Sequence, residues 1–130
     1  MSGAPNAPVV CFGEMLVRLS PRGPVPLAQA GALEVNVGGA EANVAAALAS
    51  LGTPARMVTA LPDNPLGHKA RAALGAAGVD ARFVTFAEGR IGLYFLEPPA
   101  GPRAARVTYD RAGSVFARAR PDDFDFAGAL

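Results

Sequence analysis

An alternating stretch, Leu33-Glu34-Val35-Asn36-Val37, runs directly into two adjacent glycines and then into the alanine-rich segment Ala40 to Leu51. Alternation of apolar and polar residues is the signature of a strand with one covered face. Within the segment that follows, Val44, Leu48 and Leu51 recur at i, i+4 and i+7, which predicts a helix with that stripe turned inward. So many alanines imply close packing on a sheet, and Gly52 is a natural stop. Between strand and helix, Gly38 and Gly39 can take φ > 0 and leave no Cβ in the way of a bound molecule. The helix start offers unpaired N–H groups to an oxygen-rich ligand. Asn43, in the first turn, has an amide that both donates and accepts. A plainer alternative stands beside this one: the glycines only turn the chain, and Asn43 caps a backbone group.

The rest of the chain repeats the strand-and-helix pattern. Ala7 to Phe12 reads as a short buried strand, and Met15, Val17 and Leu19 alternate as a strand with one wetter face. Pro21 to Pro26 is a loop. Arg56 to Leu61 reads as a strand, Pro62-Asp63-Asn64-Pro65 as a turn, Leu66 to Ala77 as a second helix closed by Gly78, and Val79 to Phe86 contains another strand. Strands alternating with helices predict a parallel sheet with helices packed on it. Ile91 to Leu96 and Arg106 to Tyr109 are β-rich runs whose proline-rich connection is too short for a helix, so they should pair antiparallel. With the Met15 and Leu33 strands they could build a small second sheet. Asp122 is a possible N-cap for a helix that the chain end cuts short.

Composition narrows the classes of function. With 51% hydrophobic and 18% charged residues, a 130-residue chain can bury a real core. A net charge of +1, with arginines scattered among acids, gives no nucleic-acid footprint. No apolar run approaches the about 20 residues of a membrane span, and Met1 to Pro8 lacks the layout of a secretory leader. Cys11 is the only cysteine, which excludes an internal disulfide, reads as an inert buried thiol, and fits the cytoplasm. His68 reads as structural or solvent-facing, and Glu14 as a carboxylate that either reaches a cleft or faces solvent.

The segment Gly38-Gly39-Ala40-Glu41-Ala42-Asn43-Val44-Ala45 resembles the N-terminal signature of the ribokinase-like (PfkB) sugar kinases. The spacing to Gly52, the Asp63-Asn64-Pro65-Leu66-Gly67 turn and Ala77-Gly78-Val79-Asp80 fit the same pattern, while Pro62 stands where the family usually has glycine. The Glu41 variant, with Gly92-Leu93-Tyr94 and Tyr109-Asp110-Arg111-Ala112-Gly113-Ser114, is most similar to 2-keto-3-deoxygluconate kinases. The resemblance covers essentially the whole chain and implies the N-terminal part of an α/β/α sandwich with a small β-sheet lid. The lid strands would lie within about 15–37 and 91–112, and the α/β core within 1–14, 38–90 and 113–130. It further implies that Gly38, Gly39 and Asn43 bind sugar hydroxyls, that Tyr94 and Tyr109 offer phenols and ring faces from lid strands, and that Arg111 meets a sugar carboxylate. Sheet packing remains the alternative for the two tyrosines, and a solvated surface for Arg111.

In this family the catalytic base is an aspartate closing a Gly-Ala-Gly-Asp motif at a helix N-terminus, and ATP with Mg²⁺ binds toward the C-terminal half. No such motif and no Walker-type Gly-Lys-Ser/Thr occurs here. The expectation is a sugar-binding part of an ATP-dependent kinase, with no catalytic residue and no metal site of its own, and a homodimer formed through the lid strands. Other family sugars such as fructose or ribose, or a non-catalytic sugar-binding or dimerisation module, are the alternatives.

Overall fold

The computed structural model describes residues 7–130. In chain order it has β1 (Val9–Phe12), β2 (Leu16–Ser20), β3 (Glu34–Gly38), α1 (Ala40–Ser50), β4 (Ala55–Pro62), α2 (Pro65–Ala76), β5 (Val84–Ala87), β6 (Gly92–Glu97), β7 (Arg106–Asp110), α3 (Val115–Arg118) and α4 (Phe126–Ala129). Two sheets share these strands. The first, in order β1-β4-β5, is parallel throughout, with Val9 opposite Ala55 and Thr59 opposite Val84. The second has the order β3-β2-β6-β7. There β2 runs antiparallel to β3 and parallel to β6, and β7 returns antiparallel along β6 as its connection requires.

The core centres on β4, where Met57, Val58, Thr59 and Leu61 are fully shielded from solvent. A continuous apolar run is what a strand covered on both faces needs. Helix α1 packs on β1 and β4, while α2 packs on β4 and also reaches β2 and β3, so one helix supports both sheets. Pro62 is buried at the end of β4. The turn after it hands over to α2 through Asn64, whose Oδ1 accepts from the Gly67 N–H at 3.0 Å, with Pro65 in the first helical turn.

Two expectations are corrected. Of the stripe Val44, Leu48, Leu51 only Leu48 packs against the core: Val44 is 53% and Leu51 81% exposed, and the fully buried positions are Ala42 and Ala45. Methyl side chains let the helix axis come close to the sheet, and the larger residues are then rotated to its rim. The tail helix does not begin at Asp122, which sits in a 3₁₀ turn, Pro121–Asp123. Asp125 caps α4 instead, accepting from Gly128 N–H at 2.8 Å, and Asp123 accepts from Arg120 N–H. An earlier short helix, α3, is capped by Ser114 and has no counterpart in the sequence reading. These terminal turns bring Phe116, Phe124 and Phe126 around Phe12 of β1, with ring centroids 5.1–5.5 Å away.

A cluster at the other end of β4 ties down the strand connections. Arg56 donates to Asp80 at 2.9 Å and to the Ala129 carbonyl at 2.6 Å, and its guanidinium lies over Phe83. Arg82 forks onto the same Asp80 carboxylate. Chiefly through the Arg82 hydrogen bonds, the Asp80 carboxyl is held well below the usual carboxylate range.

Candidate functional site

Between the two sheets lies an open cleft of about 1030 Å³. Its floor is the end of β1 and the start of α1: Phe12, Gly13, Glu14, Gly39, Glu41 and Asn43. Its roof is the second sheet, with Tyr94 on β6, Val107 and Tyr109 on β7, and Arg111 just beyond. Tyr94 and Tyr109 are direct cross-strand partners, so both rings stand on one face, 5.9 Å apart. The Arg111 guanidinium lies 4.8 Å from the Tyr109 ring centroid, a cation–π stack that leaves its donors free at the rim.

Gly39, Asn43, Tyr94, Tyr109 and Arg111 all line this one cleft. Gly38 lies behind it, beside Met15 and Ala42. The glycines have structural reasons that the sequence did not reveal. At Gly39 φ is +138°, and a Cβ would stand 2.7 Å from the Glu14 carbonyl oxygen. At Gly38 a Cβ would collide with the Tyr94 hydroxyl. Glycine is therefore required at Gly39 by the backbone beside it, whereas at Gly38 the neighbour is the tip of a side chain.

The plain alternative for Asn43 does not hold, because α1 begins at Gly39 with no side-chain cap. The Asn43 backbone N–H bonds to the Gly39 carbonyl at 2.9 Å and leaves the amide side chain exposed in the cleft. Arg111 is exposed and, among the described residues, has no carboxylate within ion-pair distance. Tyr94 is half-buried and Tyr109 is exposed.

Other cleft residues carried little signal in the sequence. Glu41 lies over Gly13, in the space that a Cβ there would fill. Glu14, for which the sequence left two readings, faces the cleft, and its Oε2 accepts from the Ser114 hydroxyl at 2.6 Å. Ser114 is buried, and the only hint was its position three residues ahead of Ala117, whose N–H it caps. Cys11 lies beneath the floor, where burial and secondarily the Glu41 charge push its thiol pKa up, as an unreactive core cysteine requires. His68 is far from the cleft, exposed, stacked on Phe86 and 2.9 Å from Asp63.

Residues 6–119 match the profile of the pfkB family carbohydrate kinases. The chain is 39% identical over 118 residues to a 2-dehydro-3-deoxygalactonokinase of Haloferax volcanii, a match covering 91% of this chain and 37% of that protein. It is 44% identical over 90 residues to fructokinase-1 of Oryza sativa subsp. japonica, covering 68% of this chain and 28% of the relative. Among solved structures, 2-dehydro-3-deoxygluconokinase of Thermotoga maritima superposes with a TM-score of 0.93 at 45% identity, over 96% of this chain and 38% of that one. The chain thus spans well under half the length of the relatives it matches.

Proposed function

Because this chain belongs to the pfkB family of carbohydrate kinases, we propose that it supplies the sugar-binding part of an ATP-dependent kinase for 2-keto-3-deoxygluconate. The observation that carries the reading is Arg111, a guanidinium with no protein carboxylate, stacked on Tyr109 at the rim of a cleft whose floor holds acceptors. A guanidinium only donates, and its planar fork fits a carboxylate. Glu41 accepts from hydroxyls and repels a carboxylate, so the acid end of the ligand points to the lid and its hydroxyls to α1. Asn43, which both donates and accepts, completes that polar end, and the tyrosine pair offers flat apolar surface to the carbon skeleton.

ATP and Mg²⁺ would complete the reaction, and the resemblance puts their site toward the C-terminal half of the family's proteins. No group of three or more His, Cys, Asp or Glu converges among the described residues, and the chain lacks the Gly-Ala-Gly-Asp motif. We propose that phosphoryl transfer and its base belong to the part of the relatives' length that this chain does not span, so that these 130 residues assayed alone release no ADP.

Fructose is the second reading, favoured by the identity to a fructokinase. A panel of 2-keto-3-deoxygluconate, 2-keto-3-deoxygalactonate, fructose and ribose, titrated into the complete protein in a coupled ADP-release assay, separates the two. Preference for the acids supports the proposal, and preference for fructose replaces it. We also place the protein in the cytoplasm and propose that it pairs through the lid. Val107 and Tyr109 leave apolar surface on one face of the lid that a partner's lid would cover, and a strictly monomeric species in light scattering at high micromolar concentration would contradict that pairing.

A further inference from the structure

We infer that Glu14 is a positioning residue that fixes the lid against the core. The inference rests on the sugar-site reading only for its functional consequence. The chain crosses between the two sheets at 13–15, 38–39, 88–91 and 111–114. Glu14 belongs to the first crossing, meets the second and the fourth, and lies beside Gly92 at the start of β6. Its carbonyl oxygen fills the space that a Cβ on Gly39 would need, 2.7 Å away. Its Oε2 stands 2.9 Å from where a Cβ on Gly92, just after the third crossing, would be. The same Oε2 accepts the Ser114 hydroxyl at the fourth.

The polarity of this arrangement is set by Ser114. Its Oγ accepts the Ala117 N–H at 3.1 Å, so its single proton is free to be donated to Glu14 at 2.6 Å. One buried hydroxyl therefore caps α3 and holds the carboxylate. The bond from Val115 N–H to the Arg90 carbonyl, 2.9 Å, links the third and fourth crossings directly. Because the Glu14 side chain ties the first crossing to the fourth beside the start of β6, it sets the separation between Asn43 on the core side and Tyr94, Tyr109 and Arg111 on the lid side. A ligand gripped from both sides needs that separation held before it arrives.

Native-state amide exchange tests this, with Val115 reporting on the crossings and Met57, bonded to the Asp80 carbonyl, reporting on global opening. Glu14→Ala removes the latch and leaves the cap of α3 in place. It should raise exchange at Val115 about tenfold with Met57 unchanged, and weaken 2-keto-3-deoxygluconate binding by about the same factor. Ser114→Thr keeps both bonds and should behave as the parent chain. If Glu14→Ala does not fold, Glu14→Gln, which keeps the length and an acceptor, should show a smaller rise confined to Val115. Equal rises at Val115 and Met57, or no change at Val115, would overturn the latch. A parent chain that takes up no sugar acid would sink the ligand reading while leaving the exchange result to decide on Glu14.

Discussion

Strands β4 and β7 show the two ways this chain uses a β-strand. In β4 every residue but Arg56 is buried, whereas in β7 every residue is exposed. The first holds the molecule together by removing apolar surface from water. The second contributes little burial and presents Val107 and Tyr109, with Arg111 next in the chain, to a cleft. Burial and exposure are thus separated between these two strands, whose sheets are joined at a few crossings.

The largest expected effect breaks the core side of the comparison. Leu61→Ala should cost about 2–5 kcal/mol of unfolding free energy, because a fully buried side chain leaves a cavity. Thr108→Ala on exposed β7 should stay within about 0.5 kcal/mol, both measured by urea denaturation. Next comes the junction. Gly39→Val forces a β-branched residue to φ +138° against the Glu14 carbonyl and should cost about 1–3 kcal/mol in strain alone, seen as a lowered Tm even without ligand. If the loss appeared only in sugar binding, glycine would be needed for the ligand and not for the fold.

On the lid, Arg111→Ala should weaken a sugar acid by about 1.5–3 kcal/mol and a neutral sugar hardly at all, with unfolding unchanged. Equal losses for both ligands would count against a carboxylate contact. The smallest effect is acid sensitivity confined to the core. The Asp80 carboxyl titrates lower in the folded chain than in the unfolded one, so its stabilisation is complete above about pH 4 and fades as pH falls further. Asp80→Asn should therefore lower Tm at pH 7, and by progressively less as pH falls from about 4 towards 2. A constant difference across that range would show that the arginine pairing is not its origin.

The existence of the strands was legible, since Arg56 to Leu61 and Leu33 to Val37 are both β-rich, but their faces were less so: Val35 is exposed, and so are Val9 and Phe12 of the strand read as buried. The α1 stripe misled because volume was taken as a sign of burial, while close helix–sheet packing selects the methyl groups of Ala42 and Ala45. The tail misled because Asp122, Asp123 and Asp125 are all competent caps, and only the turn geometry chooses among them. In the cleft, Asn43 was reached from its place in the first turn after the glycines, and Tyr94, Tyr109 and Arg111 through resemblance; no local pattern brings them together. Glu14 and Ser114 are 100 positions apart, and nothing in either neighbourhood announces the other.

The most direct test of the account is a nuclear magnetic resonance titration of the 130-residue chain with 2-keto-3-deoxygluconate, a method that tolerates weak affinity. The account predicts shifts confined to residues around Glu14, Gly39, Asn43, Tyr94, Tyr109 and Arg111, largely lost in Arg111→Ala. Shifts centred elsewhere, or an unaltered response in Arg111→Ala, would contradict it.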